Sequence, residues 1–337
     1  MARHTYCKLI AVSTFVVGFV GPAGFAQDQK LPNPPSAPAT NGNFYEFVNS
    51  TKKFTDEQIS WSFGERGPYT TFAQSRKAPP RMGGGGRMYF KIEAPEGGGG
   101  KSRVYKDFIE FTHNNVGWHG NTTQVDEFVI PLTIELFQAN GTSQKCGITE
   151  SRASLFEAFK RDAPREFQSC LKDGERIVSP CRADFKKGMA NANYFEKYID
   201  EVWAMYATEK TTPGGWKGKV VDGSLIFSKA GKKDYVLHKK PTTQDVLLGQ
   251  NELGKSPDFC SAINRHVLAD PGDWRDARSY YKAEPYNFYA RFFHDHSIRH
   301  LAYGFCYDDF NQQASYFAGR NPTRLVVTIY WDTPPEQ

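Results

Sequence analysis

Long apolar runs are scarce in this 337-residue chain: Leu9 to Val20 stands out, and nothing after it is long enough to span a bilayer. That run follows Arg3 and Lys8 and leads into Ala23-Gly24-Phe25-Ala26. A basic start, a short apolar middle and small residues at the end are the layout of a secretory signal peptide. Residues 1–26 are therefore expected to be cleaved after Ala26, leaving a secreted chain (extracellular or periplasmic) with no membrane attachment. Residues 27–41, rich in Pro, Gln and Asn, read as a disordered linker. Charge of one sign is scarce too. The formal net charge is +5, and removing Arg3 and Lys8 with a leader that holds no acid leaves +3. With no Lys/Arg cluster on a periodic face, nothing recommends nucleic acid as a partner. No internal repeat is visible.

Cysteine is sparse and badly spaced for metal. Cys7 leaves with the leader, and Cys146, Cys170, Cys181, Cys260 and Cys306 form no CxxC pair, so a zinc ribbon is excluded. In an oxidising compartment one or two disulfides are expected, Cys170 to Cys181 being the easy local pairing and Cys260 to Cys306 a long-range one. His294, His296 and His300 lack a matching carboxylate except the distant Asp308, so they read as structural histidines, with no metal and no cofactor. The run Gly97 to Gly100 followed by Lys101-Ser102 imitates a phosphate-binding loop. That motif needs a second glycine where Pro95 stands and a helix where Val104 opens a strand-like stretch, so nucleotide binding is set aside.

What is present is alternation. Ile59 to Phe63, Arg87 to Ile92 and Phe128 to Leu136 read as strands, and the runs Gly83 to Gly86 and Gly97 to Gly100 as flexible turns. After Cys146 the period lengthens. Ser151 to Phe159 reads as a capped helix, Tyr194 to Tyr206 as an amphipathic helix, Lys219 to Phe227 as a hairpin, and a helix opens at Ser256-Pro257. Leu325 to Ile329 reads as a buried strand returning to the first half. The expected fold is mainly β with an α/β part: a β-sandwich or barrel over 42–145, completed by strands near 302–332, and a mixed α/β domain over 146–301, with a wide groove between them. Aromatic residues make up 15% of the chain, which suits both core packing and stacking on sugar rings.

The chemistry is concentrated in Asp107-Phe-Ile-Glu110-Phe-Thr112 and Thr122-Thr-Gln-Val-Asp126. Alternation puts Glu110 and Thr112 on one face of the first strand and Thr122, Gln124 and Asp126 on one face of the second. A hairpin brings two such polar stripes together, and a pair of carboxylates is what glycosidic cleavage needs. An ordinary solvated strand face carrying two acids fits the same pattern. Phe108, Ile109 and Phe111 flank Glu110, and apolar surroundings favour the protonated form of a general acid, while Asp126 beside polar neighbours suits the base. Trp118 sits at the expected loop tip, either stacking on a sugar or acting as a buried anchor. Thr112, Asn114, Thr122 and Gln124 either hydrogen-bond sugar hydroxyls or form a ladder across the hairpin.

Glu110-Phe-Thr, Asn121-Thr-Thr-Gln-Val-Asp126, Phe288-Tyr-Ala-Arg-Phe-Phe-His-Asp-His296-Ser and Ala302-Tyr-Gly-Phe-Cys-Tyr-Asp-Asp309 together resemble glycoside hydrolase family 64, the β-1,3-glucanases related to thaumatin-like proteins. The resemblance covers nearly the whole chain after the leader. It implies a thaumatin-like, two-domain fold with a wide groove, β-1,3-glucan as substrate, an inverting mechanism without metal, Glu110 as acid and Asp126 as base. A monomer is expected. Asp308 becomes a third acid lining the groove, or else a structural hydrogen-bond acceptor. The alternative function is a non-catalytic thaumatin-like protein that binds glucan without cutting it. One geometric tension follows. A symmetric hairpin centred on Trp118 sets Glu110 opposite Asp126, with Cα atoms about 4.5–5.5 Å apart. Inversion requires carboxyl groups roughly 6.5–9.5 Å apart, so a register shift, a bulge or diverging side chains is expected.

Overall fold

The alternating segments resolve into strands in the computed structural model, which describes residues 44–77, 84–95, 103–115 and 117–332. The expected leader, the 27–41 linker and the Gly97–Gly100 turn lie outside the described residues. In chain order the strands of the first half are β1 (Tyr45–Asn49), β2 (Ile59–Phe63), β3 (Thr70–Thr71), β4 (Gly84–Ala94), β5 (Arg103–Asn114), β6 (Gly117–Thr122), β7 (Glu127–Phe128), β8 (Leu132–Gln138) and β9 (Ser143–Gly147). The second half adds β10 (Leu171–Lys172), β11 (Arg176–Val178), β12 (Lys210–Thr211), β13 (Lys217–Val221), β14 (Ser224–Ser228), β15 (Tyr235–Leu237), β16 (Tyr316–Gly319) and β17 (Pro322–Ile329).

A six-stranded sheet in the order β16-β6-β5-β4-β2-β3 faces a four-stranded sheet in the order β1-β17-β8-β9. The inward residues of both, among them Met88, Phe90, Ile109, Phe111, Ile134, Leu136, Val327 and Ile329, form one apolar core. Stripes of period two on each sheet leave no other way to bury these side chains, each worth about 1.5–3 kcal/mol. The C-terminal strand β17 does return to the first half, pairing parallel with β1 and antiparallel with β8.

A second core gathers the helices α2 (Arg152–Asp162), α3 (Glu196–Met205), α4 (Thr243–Leu248), α5 (Pro257–Asn264) and α6 (Phe288–Asp295); α1 (Phe72–Lys77) belongs to the sandwich side. The antiparallel β12-β13-β14-β15 sheet packs on this second core. Ser151 caps α2 by accepting from the Ser154 N–H, as its position before the apolar period suggests. Phe128 belongs to the helical core and Val129 to the sandwich core, so the chain crosses between them at that point. The whole of 42–337 is one compact unit.

Two expectations fail here. Gly84 to Gly86 are not a turn: they extend β4 and pair with Phe111 to His113 of β5. Gly85 has a reason to be glycine there, because a Cβ would lie 2.9 Å from Thr112 Oγ1 and 3.1 Å from the Phe111 carbonyl oxygen. The described residues also contain no disulfide. The Cys260 thiol donates instead to the Val246 carbonyl, 3.3 Å away, and Cys181 Sγ lies 3.2 Å from Ser179 Oγ.

Candidate active site

The outward face of the six-stranded sheet carries the polar residues that its core-facing alternation leaves over. Register places Arg87 of β4 opposite Glu110 of β5, Glu110 opposite Asn121 of β6, and Asn121 opposite Tyr316 of β16. The four residues form one row across four strands. The next row is Gly85, Thr112, His119 and Ala318.

The Arg87 guanidinium lies 4.1 Å from the centre of the Phe108 ring and spans two acids. Its Nε donates to Glu110 Oε1 at 2.9 Å and its Nη1 to Asp126 Oδ2 at 2.8 Å. Arg182 Nη2 approaches the other Asp126 oxygen at 3.0 Å. Burial works against the Arg87 charge, but Glu110 and then Asp126 outweigh it and raise the guanidinium above its ordinary value. The Glu110 side chain keeps 30% of its surface open to solvent, the Asp126 side chain only 9%. The two carboxylates therefore differ in access while sharing one cation.

Glu110 is held by a strand, Asp126 by a loop pinned at several points. β6 ends at Thr122, and beyond it the Gln124 N–H donates to the Tyr303 carbonyl at 2.9 Å. The Tyr289 hydroxyl on α6 donates to the Gln124 carbonyl at 2.5 Å, and the Ser179 N–H to the Asp126 carbonyl at 3.0 Å. Both halves of the molecule thus fix the second carboxylate.

The expected register shift is present in a different form. In the β5–β6 hairpin Asn114 lies opposite Gly117, so Asn121 faces Glu110 and Asp126 lies past the end of the ladder. Thr112 and Asn114 do share the Glu110 face, Thr112 half-buried and Asn114 exposed. Trp118, placed by the sequence at a loop tip, is instead inside β6, 1% exposed, stacked with Phe111 and packed on Phe317 in the sandwich core. It is the buried anchor, not a sugar platform. Thr122 pairs with Ile109, on the core side, and is 2% exposed; Gln124 is also buried, at 6%. Neither belongs to the open face. The surroundings of Glu110 differ from expectation as well, since Ile109 and Phe111 point into the core and Phe108 carries Arg87. The carboxylate meets a cation rather than apolar surface.

Asp308 does not line an open surface. It is fully buried, accepting from Arg265 Nη2 at 2.9 Å and the Gly304 N–H at 2.9 Å, with His294 Nε2 at 3.0 Å. Burial alone would raise its carboxyl, but His294 and Arg265 hold it below the usual carboxylate range. It is the structural acceptor. His296 pairs with Glu150 at 2.6 Å, and the described residues hold no group of three metal-ligating side chains. Arg87, Arg182 and Asn121 escaped the sequence reading. Arg87-x-Tyr89-x-Lys91 was a readable signal, a polar stripe on a strand that hairpins onto the Glu110 strand.

A family model described as Beta-1,3-glucanase, glycoside hydrolase family 64, matches residues 101–329, more than half of the chain. The chain belongs to this family. Curated relatives in the family include a glucan endo-1,3-beta-glucosidase of Cellulosimicrobium cellulans and another of an Arthrobacter strain. Each is 23% identical over 246 residues, covering 66% of this chain and 45% of the relative. The chain thus spans less than half the length of those relatives. Among solved structures, a family 64 β-1,3-glucanase domain from Clostridium beijerinckii matches with a TM-score of 0.69 at 26% identity, over 85% of this chain and 97% of that one. A laminaripentaose-producing β-1,3-glucanase from Paenibacillus barengoltzii, also solved with laminarihexaose, matches at 0.64 and 27%, over 91% and 80%. Glu110, Asp126 and Tyr316 fall inside the family match, whereas Arg87 lies ahead of it.

Proposed function

We propose that this chain is a secreted β-1,3-glucan hydrolase that works by inversion on a thaumatin-like sandwich, with Glu110 as general acid and Asp126 as general base. The observation that carries the reading is the single guanidinium joining the two carboxylates. The Nε and Nη1 hydrogens diverge on a rigid plane, so Arg87 holds the two carboxylates apart on different edges of one guanidinium. Inversion needs room for a water between the carboxyl groups, roughly 6.5–9.5 Å against about 5–5.5 Å for retention, and a cation that spaces the pair supports the inverting reading.

In the reaction, the solvent-accessible Glu110 gives its proton to the glycosidic oxygen as the C–O bond breaks. Asp126 takes a proton from the water that attacks the anomeric carbon from the opposite side. The curated relatives, named glucan endo-1,3-beta-glucosidases, and the solved relative complexed with laminarihexaose support β-1,3-glucan as the polymer. The apolar run at Leu9 to Val20 supports export.

Laminarin hydrolysis, followed by reducing ends and by proton NMR of the first product, tests the reading. Wild type should release the α-anomer first, and Glu110→Gln and Asp126→Asn should each slow release by about 10²–10⁴-fold. First release of the β-anomer would replace inversion by retention. Binding of laminarin without any release by wild type would leave the non-catalytic glucan-binding reading.

A further inference from the structure

With Trp118 buried in the sandwich core, a different ring must serve if a sugar stacks on the open face, and the register supplies one. Among the described residues the exposed large apolar side chains are Phe63, Val104, Met189, Met205, Val221 and Tyr316. Of these, Tyr316 alone stands in the Arg87–Glu110–Asn121 row, two strands from the carboxylate that would meet the glycosidic bond. Its strand alternates cleanly. Tyr316 and Ala318 are exposed, while Phe317 packs on Trp118 in the core. Two inter-strand spacings put the Tyr316 backbone about 10 Å from that of Glu110, on the order of two pyranose rings along the row.

We infer that Tyr316 is a stacking platform for a pyranose ring of the glucan on the β16 side of Glu110, with His119 bracing it. The His119 ring lies 6.0 Å from the Tyr316 ring, tilted by 60°, and so limits the tyrosine's swing without covering it. Ala318, the next outward residue on the strand, leaves room for the sugar beside the ring. Burial, and then the Asp309 carboxylate, push the Tyr316 phenol above its ordinary value, so the ring stays neutral wherever a carboxylate pair works. Neutral C–H faces of a pyranose stack on such a ring with no charge to desolvate. This inference rests on the proposed glucan reading and adds a specific subsite to it.

The test is laminarihexaose binding by calorimetry in the Glu110→Gln background, so that the ligand stays intact. Adding Tyr316→Ala should weaken binding about 3- to 10-fold, whereas Tyr316→Phe should stay within about twofold. Ala318→Arg, at an exposed position, should weaken binding to a similar degree by blocking the space beside the ring while leaving the tyrosine in place. Thermal melts of each variant check that the sandwich is intact. Unchanged affinity in Tyr316→Ala or in Ala318→Arg overturns the subsite, and so does a Tyr316→Phe loss as large as that of Ala, which would assign the effect to the hydroxyl. Failure of the parent to bind laminarihexaose, together with no laminarin hydrolysis by wild type, overturns the glucan reading itself and the subsite with it.

Discussion

Arg87 touches both Glu110 and Asp126, whereas Arg182 touches Asp126 alone. A planar fork can hold two carboxylates at a set distance, and a lysine ammonium, a point charge on a flexible stem, cannot. Arg87→Lys is therefore expected to keep the protein folded while lowering kcat/KM on laminarin by about 10- to 100-fold, with Arg87→Met falling further. Kinetics equal to wild type in the lysine variant would reduce Arg87 to a structural cation. At this scale the sequence was half legible. Glu110 could be read because its strand alternates, and Arg87 could have been read by the same rule. Trp118 could not, because nothing local distinguishes an indole at a hairpin tip from one pointing into a core. Only the folded sheet shows the fit: a Cβ on Gly120 would lie 2.5 Å from the Glu110 carbonyl oxygen and 2.6 Å from the Trp118 ring, so the glycine leaves space for both.

Elements are positioned by a buried acid that had been read only as the start of a motif. Asp107 on β5 accepts from the Val129 and Ile130 N–H groups at 3.0 and 3.2 Å and from its neighbour Phe108, so it clasps the crossing between the two cores onto the sheet that carries Glu110. Burial pushes its carboxyl up to about 8, against the pull of those three N–H donors. The folded value lies above the unfolded one, so folded protein binds the extra proton between about pH 4 and 8. The stability owed to Asp107 then falls as pH rises through that range. Asp107→Asn should remove this slope and cost about 1–3 kcal/mol through one mispaired N–H, measured by thermal melts at several pH values. A variant that melts like wild type at every pH would dismiss the clasp. The β6 register was illegible for a related reason. The return strand was extended to Asp126 by alternation alone, but Thr122 ends it, and bonds from Tyr289, Ser179 and the Tyr303 carbonyl, all distant in sequence, decide where Gln124 and Asp126 go.

Over the whole molecule, the sandwich core, the helical core and the returning C-terminal strand were readable from period changes, because burial repeats along each element. The joint between the halves was not, since it depends on single buried polar groups. The His294–Asp308–Arg265 cluster is one such group, and it sets a pH dependence of its own. Burial opposes the His294 charge, but Asp308 outweighs it and raises the imidazole above its ordinary value, while Asp308 is held low. A histidine raised in the folded state stabilises fully below about pH 6.5 and loses that contribution as pH rises through its folded value. An aspartate lowered in the folded state stabilises above about pH 3.8 and loses that contribution as pH falls through its folded value. With Asp107 pulling in the same alkaline direction as His294, the melting temperature should peak on the mildly acid side and decline toward alkaline pH. His294→Gln leaves Asp308 with Arg265 and the Gly304 N–H, so it should lower stability by about 3 kcal/mol at the acid optimum and flatten the alkaline decline. Melts of wild type and variant from acid to alkaline pH decide this. A variant curve parallel to wild type would mean that the imidazole carries no extra proton in the folded protein, and the cluster would then hold the 302–309 loop through Arg265 alone.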